Sequence, residues 1–93
     1  MDASKVIRII KVCVLVAQMP SGGGWTKSSE IVLWSAVPQA TTYRYLKDIV
    51  ALGYLQCNKQ GYRNGFINHY KVTQSGLDYL NNYKELFQNV EPN

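Results

Sequence analysis

From Ser4 to Met19 apolar residues run almost unbroken, interrupted by Lys5, Arg8 and Lys11 at three-residue steps. That spacing predicts a helix with one polar stripe and two apolar sides, Ile7, Ile10, Val14 and Ala17 on one and Val6, Ile9, Cys13 and Val16 on the other. Its many β-branched residues leave a strand open as the alternative. A helix apolar over most of its circumference is buried on more than one side. One side packs on this domain; the other is ordinary core or a contact with a second copy. Pro20 to Gly24 then forms a flexible connector, and Trp25 reads as an apolar plug where that connector meets the core.

The stretch from Thr26 to Leu55 predicts two short amphipathic helices separated by a tight turn. Thr26 is a suitable N-cap, and Glu30 suits the positive end of the first helix dipole. Ile31, Val32 and Trp34 supply that helix's apolar side, and the chain turns at Ser35-Ala36-Val37. Pro38 fits the first position of the next helix, where its missing N–H costs nothing. Thr42, Tyr45, Leu46, Ile49 and Leu52 recur on one helical face, leaving Gln39, Thr41, Tyr43, Arg44 and Lys47 for the other. Gly53 is a natural residue to follow the helix end, because it takes the left-handed conformation without a Cβ penalty.

After Gly53 the period shortens. Tyr54 to Lys59 and Phe66 to Val72 read as strands joined through Gln60-Gly61-Tyr62-Arg63-Asn64-Gly65, whose Asn-Gly pair is a strong hairpin signal. Thr73 can cap a last helix from Gln74 to about Phe87, carrying the apolar stripe Leu77, Leu80, Tyr83, Leu86 and Phe87. Gly76 in its first turn weakens the helix slightly but lets another backbone come close. Asn89 to Asn93 reads as a frayed tail.

With 93 residues and 46% hydrophobic content, the chain makes one folded domain, 1–93, of α+β class and mostly α. Its segments are an N-terminal helix at 4–19, a helix-turn-helix at 26–53, a hairpin at 54–73 and a C-terminal helix at 74–88. A domain of this size buries proportionally less surface than a larger one, so dimerisation would help it. A net charge of +4 favours a polyanionic partner. Cys13 and Cys57 lie far apart in apolar surroundings, with no metal or disulfide framework, and read as small buried residues in a reducing cytoplasm. Val6 to Ala17 is too short for a spanning helix, and Arg8 and Lys11 intrude into what an export signal would keep apolar, so no membrane is expected. The glycine run lacks the Lys-Ser or Lys-Thr of a phosphate loop. One histidine, His69, and six scattered acids form no catalytic or metal-binding constellation, so neither an enzyme nor a cofactor is expected. His69 reads as structural or as a surface residue.

The order helix, helix, helix, hairpin, helix resembles the winged helix-turn-helix family, and most closely small bacterial, archaeal and phage regulators of the IclR, MarR and PadR types. The resemblance is carried by Glu30-Ile31, Val37-Pro38, Thr41 to Leu46, Leu52 to Leu55 and the junction Tyr70 to Gly76, and covers roughly Thr26 to Leu80. It implies duplex DNA as partner, with the Pro38–Leu52 helix in the major groove and the wing, Lys59 to Phe66, on the backbone. The DNA-binding residues it implies are Gln39, Thr41, Thr42, Tyr43, Arg44, Lys47, Lys59 and Arg63. Arg44 suits a guanine edge and Gln39 an adenine, while Lys47, Lys59 and Arg63 suit phosphates. Tyr43 either reaches a phosphate with its hydroxyl or covers the turn with its ring. The expectation is a homodimer formed through Ser4–Met19, Gln74–Phe87 or both, acting as a transcriptional regulator or a phage or plasmid factor. No effector domain is recognisable, so no small-molecule effector is expected. The alternative is a winged-helix protein-interaction module without DNA binding. A subgroup that binds left-handed duplexes carries prolines and a tryptophan on its wing, which this wing lacks.

Overall fold

The chain folds as α1 (Ala3–Ala17), β1 (Thr26–Lys27), α2 (Ser28–Ser35), α3 (Gln39–Ala51), β2 (Leu55–Tyr62), β3 (Gly65–Val72) and α4 (Gln74–Val90). The structure, a computed structural model, describes residues 1–20, 23–62 and 65–90, with side chains described except at Gln60, Tyr62 and 84–90. Among the described residues the class is α+β, mostly helical, with four helices and one three-stranded antiparallel sheet ordered β1-β3-β2.

Of the two forms open to the N-terminal segment, the structure adopts the helix. Asp2 caps it, accepting from the Ser4 amide at 2.9 Å, and the Asp2 amide donates to the Tyr45 hydroxyl at 2.9 Å, tying α1 to α3. Val6, Ile7, Ile9, Ile10, Val12, Cys13 and Val16 are all buried within the one chain. Both apolar sides of the helix are thus largely satisfied internally, and Leu15 and Met19 are what this region leaves in solvent. Around α1 gather Ile31, Val37, Leu46, Ile49, Leu55, Tyr70 and Leu80. Each aliphatic side chain so buried contributes roughly 1.5–3 kcal/mol.

The sequence pattern gives no sign of β1. Thr26 does not cap α2: it is fully buried and pairs with Tyr70 of β3, while Lys27 pairs with His69 and occupies the N-cap position. Glu30 reaches back from the first turn to accept from the Lys27 amide at 3.2 Å. Two residues give no periodic signal, so only the packed sheet reveals this strand.

In α2 the rotation that buries Ile31 and Ser35, one turn apart, directs Leu33 and Trp34 outward. Trp34 is 68% exposed and is not part of the apolar side expected of it. The turn after α2 is held by Ala36 in the left-handed region at φ 57° and by the Ser35 hydroxyl, which accepts from the Val37 amide at 3.3 Å.

Pro38 is the N-cap of α3, one residue before its expected place, and its carbonyl accepts from the Thr42 amide at 2.8 Å. Thr42, Tyr45, Leu46 and Ile49 are buried as their spacing predicts, but Leu52 is exposed because it lies beyond the last helical residue. Gly53, at φ +84°, closes the helix: its amide donates to Val50 and that of Tyr54 to Ile49, at 2.9 and 3.1 Å. This doubly bonded C-terminal turn ends α3 sharply and delivers the chain to β2.

Strands β2 and β3 pair from Leu55↔Val72 to Tyr62↔Gly65, a longer ladder than the sequence pattern predicts. Thr73 then starts α4, its hydroxyl accepting from the Gly76 amide at 3.1 Å and donating to the Gly53 carbonyl at 2.6 Å. Tyr54 stacks on Tyr79 with centroids 4.7 Å apart, so α4 packs on the root of the hairpin.

Candidate nucleic-acid interface

Four buried positions fix the rotation of α3, and so fix what its outer face carries. With Thr42, Tyr45, Leu46 and Ile49 turned inward, Gln39, Ala40, Tyr43, Arg44, Lys47, Asp48 and Ala51 are exposed and Thr41 is half-buried. At 100° per residue, Arg44 and Lys47 flank the centre of that face and the small residues Ala40 and Ala51 occupy it. The backbone can therefore approach a partner closely between two cations. Asp48 sits at the edge, one turn after Arg44, leaving α3 with a formal charge of +1.

Two local contacts orient the polar side chains. The Gln39 side-chain amide donates to the Tyr43 hydroxyl at 3.4 Å, turning that hydroxyl back towards the first turn of the helix. The Arg44 guanidinium lies 6.0 Å from the centroid of the Tyr45 ring, at the outer limit of a cation–π contact. Thr42 does not belong with these residues. It is fully buried, and its hydroxyl donates to the Val37 carbonyl at 3.2 Å, bracing the turn between α2 and α3. Both properties follow from its place on the core-facing stripe.

Lys59 is exposed on β2, opposite Asn68. Arg63 lies outside the described residues. From Ile49 to Leu77 the chain contains no aspartate or glutamate, whereas it carries Lys59, Arg63 and Lys71. The hairpin is thus uniformly cationic, a stronger electrostatic signal than α3 gives alone. Lys71 lies 5.9 Å from the centroid of the half-buried Trp25.

The cysteines and the histidine stand apart from this surface. Burial pushes the Cys13 thiol up to about 12, against a smaller downward pull from the Thr26 hydroxyl, so it stays protonated and inert at neutral pH. Cys57, expected to be buried, is exposed on β2. Its strand has already left the core at that rung, although its neighbour Tyr70 on β3 is buried. His69 is buried, its Nδ1 3.2 Å from the Ile67 carbonyl. Among the described residues no group of three potential ligands could hold a metal ion, and no helix is long and apolar enough to cross a membrane.

Three exposed side chains carry no signal in the sequence pattern. Leu33 and Trp34 on α2 are 71% and 68% exposed, and Phe66 on β3 is 76% exposed. The first two are hidden in a run that looks apolar throughout, and the third in a strand of alternating residues. No family model matches the chain, and no curated protein matches it in sequence.

Proposed function

We propose that the chain is a winged helix-turn-helix protein that binds duplex DNA, selectively by sequence and as a homodimer, with α3 in the major groove and the β2–β3 hairpin as a wing on the backbone. The observation that carries this reading is the outward placement of Arg44 and Lys47, with Gln39, Thr41 and Tyr43 beside them, on a helix whose other side is locked into the core. From Gln39 to Lys47 the helix rises about 12 Å. That is the length of three to four base pairs at ~3.4 Å each, the stretch one recognition helix reads. Arg44 is the residue suited to a guanine edge; Lys47 and Lys59 neutralise phosphates, and Arg63 takes the same role from the sequence. The exposed Leu15 and Met19 at the end of α1, beside the α1–α4 groove lined by Lys11, Val14, Leu15, Gln18 and Leu80, support a contact between copies. A dimer would place two such helices on half-sites one helical turn apart. The roles this reading fits are a transcriptional regulator or another factor acting on DNA.

The decisive measurement is fluorescence anisotropy of a labelled random duplex at several salt concentrations. Replacing Arg44 and Lys47 together with alanine should weaken binding at least tenfold at low salt. The slope of log affinity against log salt should also fall by about 0.9, the share of the one phosphate that Lys47 neutralises. Unchanged affinity and slope would remove the proposal. A second reading, a protein-interaction module of the same fold, is favoured by the exposed Leu33–Trp34 pair on α2. It predicts no duplex affinity even at low salt.

A further inference from the structure

The hairpin carries an aromatic ring that neither the core nor a phosphate contact explains. Opposed residues of an antiparallel ladder share a face, so Leu55/Val72, Cys57/Tyr70, Lys59/Asn68 and Gly61/Phe66 line one side of the β2–β3 ribbon. At its root this side is core: Leu55 and Tyr70 are buried and Val72 is half-buried. Towards the tip the same side runs out into solvent and presents Lys59, half-buried Asn68 and finally Phe66, 76% exposed. The last rung holding a buried residue is Asn58↔His69, and Phe66 stands three rungs beyond it. At ~3.3 Å per residue the ring stands about 10 Å along the ribbon beyond that rung.

The residue facing Phe66 is Gly61. A Cβ at position 61 would lie 3.5 Å from the ring's Cε1, so the ring rests over the glycine. Exposing a phenylalanine this fully at the tip of a ribbon is unfavourable in the free protein, which points to a partner that covers it. The identity of that partner follows from charge. No carboxylate occurs between Ile49 and Leu77, and Lys59 lies on the same face one pair inward from the ring. An apolar wedge in a cationic, acid-free surround is complementary to a polyanion with stacked apolar planes inside it.

We propose, resting on the duplex-binding reading above, that Phe66 is a wedge that enters the minor groove and partly intercalates at one base step. Apolar side chains at such positions unstack a step and kink the duplex towards the major groove. The reach of about 10 Å exceeds the groove depth of about 7.5 Å. The wing then supplies selectivity as well as charge, favouring duplexes with a flexible TA or CA/TG step where the ring enters.

The test compares the wild-type chain with Phe66→Ala and Lys59→Ala on duplexes carrying 2-aminopurine at a central TA step or in an A-tract. Since the ring is exposed, Phe66→Ala should melt like the wild type. It should bind TA-containing duplex roughly tenfold more weakly at every salt concentration, leave the salt slope unchanged and abolish the rise in 2-aminopurine fluorescence that the wild type produces. Lys59→Ala should do the reverse, lowering the slope by about 0.9 and keeping the fluorescence rise. Duplex binding by the wild type with no fluorescence rise and no loss in Phe66→Ala would overturn the wedge alone. Absence of any duplex binding by the wild type would overturn both readings. Loss of self-association in Phe66→Ala with DNA affinity intact would assign the ring to a contact between copies and equally reject the wedge.

Discussion

Gly76→Ala is the sharpest structural test of how the hairpin is held. Gly76 lies in the first turn of α4, where alanine is ordinarily the better residue by about 1 kcal/mol. Here an added Cβ would overlap the Tyr54 carbonyl oxygen, lie 3.2 Å from the carbonyl carbon behind it and 3.0 Å from Val72 Cγ2. The obstacle is backbone, so no rotamer relieves it. That same oxygen accepts from the Thr73 amide at 3.1 Å, and Tyr54 is the residue through which α3 passes into β2. Overpacking of this kind costs roughly 1–3 kcal/mol, and weakening the Thr73 bond adds about 1 more. After the gain in helix propensity, a net loss of about 1–3 kcal/mol remains. For a domain of this size each kcal/mol shifts Tm by ~4–8 °C, so the melting temperature should fall by roughly 5–20 °C. Thermal melts followed by circular dichroism would measure it, with Ser75→Ala, exposed in the same turn, as the control for propensity. Equal or higher stability in Gly76→Ala would refute the close approach of α4 to Tyr54.

Two further variants separate structural from interfacial roles. Thr42→Val keeps the shape of a fully buried side chain but leaves the Val37 carbonyl without its donor, so stability should fall by about 1–2 kcal/mol in urea titration while duplex affinity, measured where both proteins are folded, stays as in the wild type. A loss of affinity in the folded variant would return Thr42 to the interface. Cys13 contributes to alkaline stability. Its thiol ionises at about 12 in the fold against 9.0 for an unperturbed thiol, so the fold favours the protonated form. That stability is whole below pH 9 and is lost as pH climbs towards 12. At ~1.36 kcal/mol per pH unit the wild type should lose about 2 kcal/mol more than Cys13→Ala between about pH 9 and 10.5. Parallel pH profiles for the two proteins would show that Cys13 is not desolvated.

The helices are legible in the sequence because each carries a periodic stripe and a chemical stop. Thr73 and Gly53 perform the capping roles their side chains predict, down to the Gly53 φ of +84°. Burial of α1 on both apolar sides can also be read from its composition, though not that the covering surface lies largely in the same chain. What escapes is decided by tertiary packing. A two-residue strand has no period, so Thr26 looks like a cap until its pairing with Tyr70 is seen. In the eight residues of α2, Ile31, Val32, Leu33 and Trp34 are consecutive, and pattern alone does not choose which of them turns inward. For the candidate site, the outer residues of α3 are separable from Thr42 by the same stripe that buries it. Phe66 is not separable, because exposure along a strand depends on how far the hairpin outruns its core.

The outward face of α3 follows from core energetics. Turning the helix by one residue, about 100°, would bring positions such as Tyr43, Lys47 and Val50 towards the places that Thr42, Leu46 and Ile49 occupy. Ile49 would leave the core at roughly 1.5–3 kcal/mol, replaced only by the smaller Val50, and the Tyr45 ring would leave with it. An unpaired lysine would enter it, at a desolvation cost of several kcal/mol. The Tyr45 hydroxyl would also leave the Asp2 amide, its link to α1. The sum rivals the whole stability of a small domain, about 5–15 kcal/mol. The helix therefore has one acceptable rotation, and in it Arg44 and Lys47 are held outward by the packing of the helix's other side. A ligand that meets this face finds its cations already in place on a rigid element. The ordering cost of binding then falls on the side chains alone, so replacing Arg44 and Lys47 should alter duplex affinity without moving the melting temperature of the free protein.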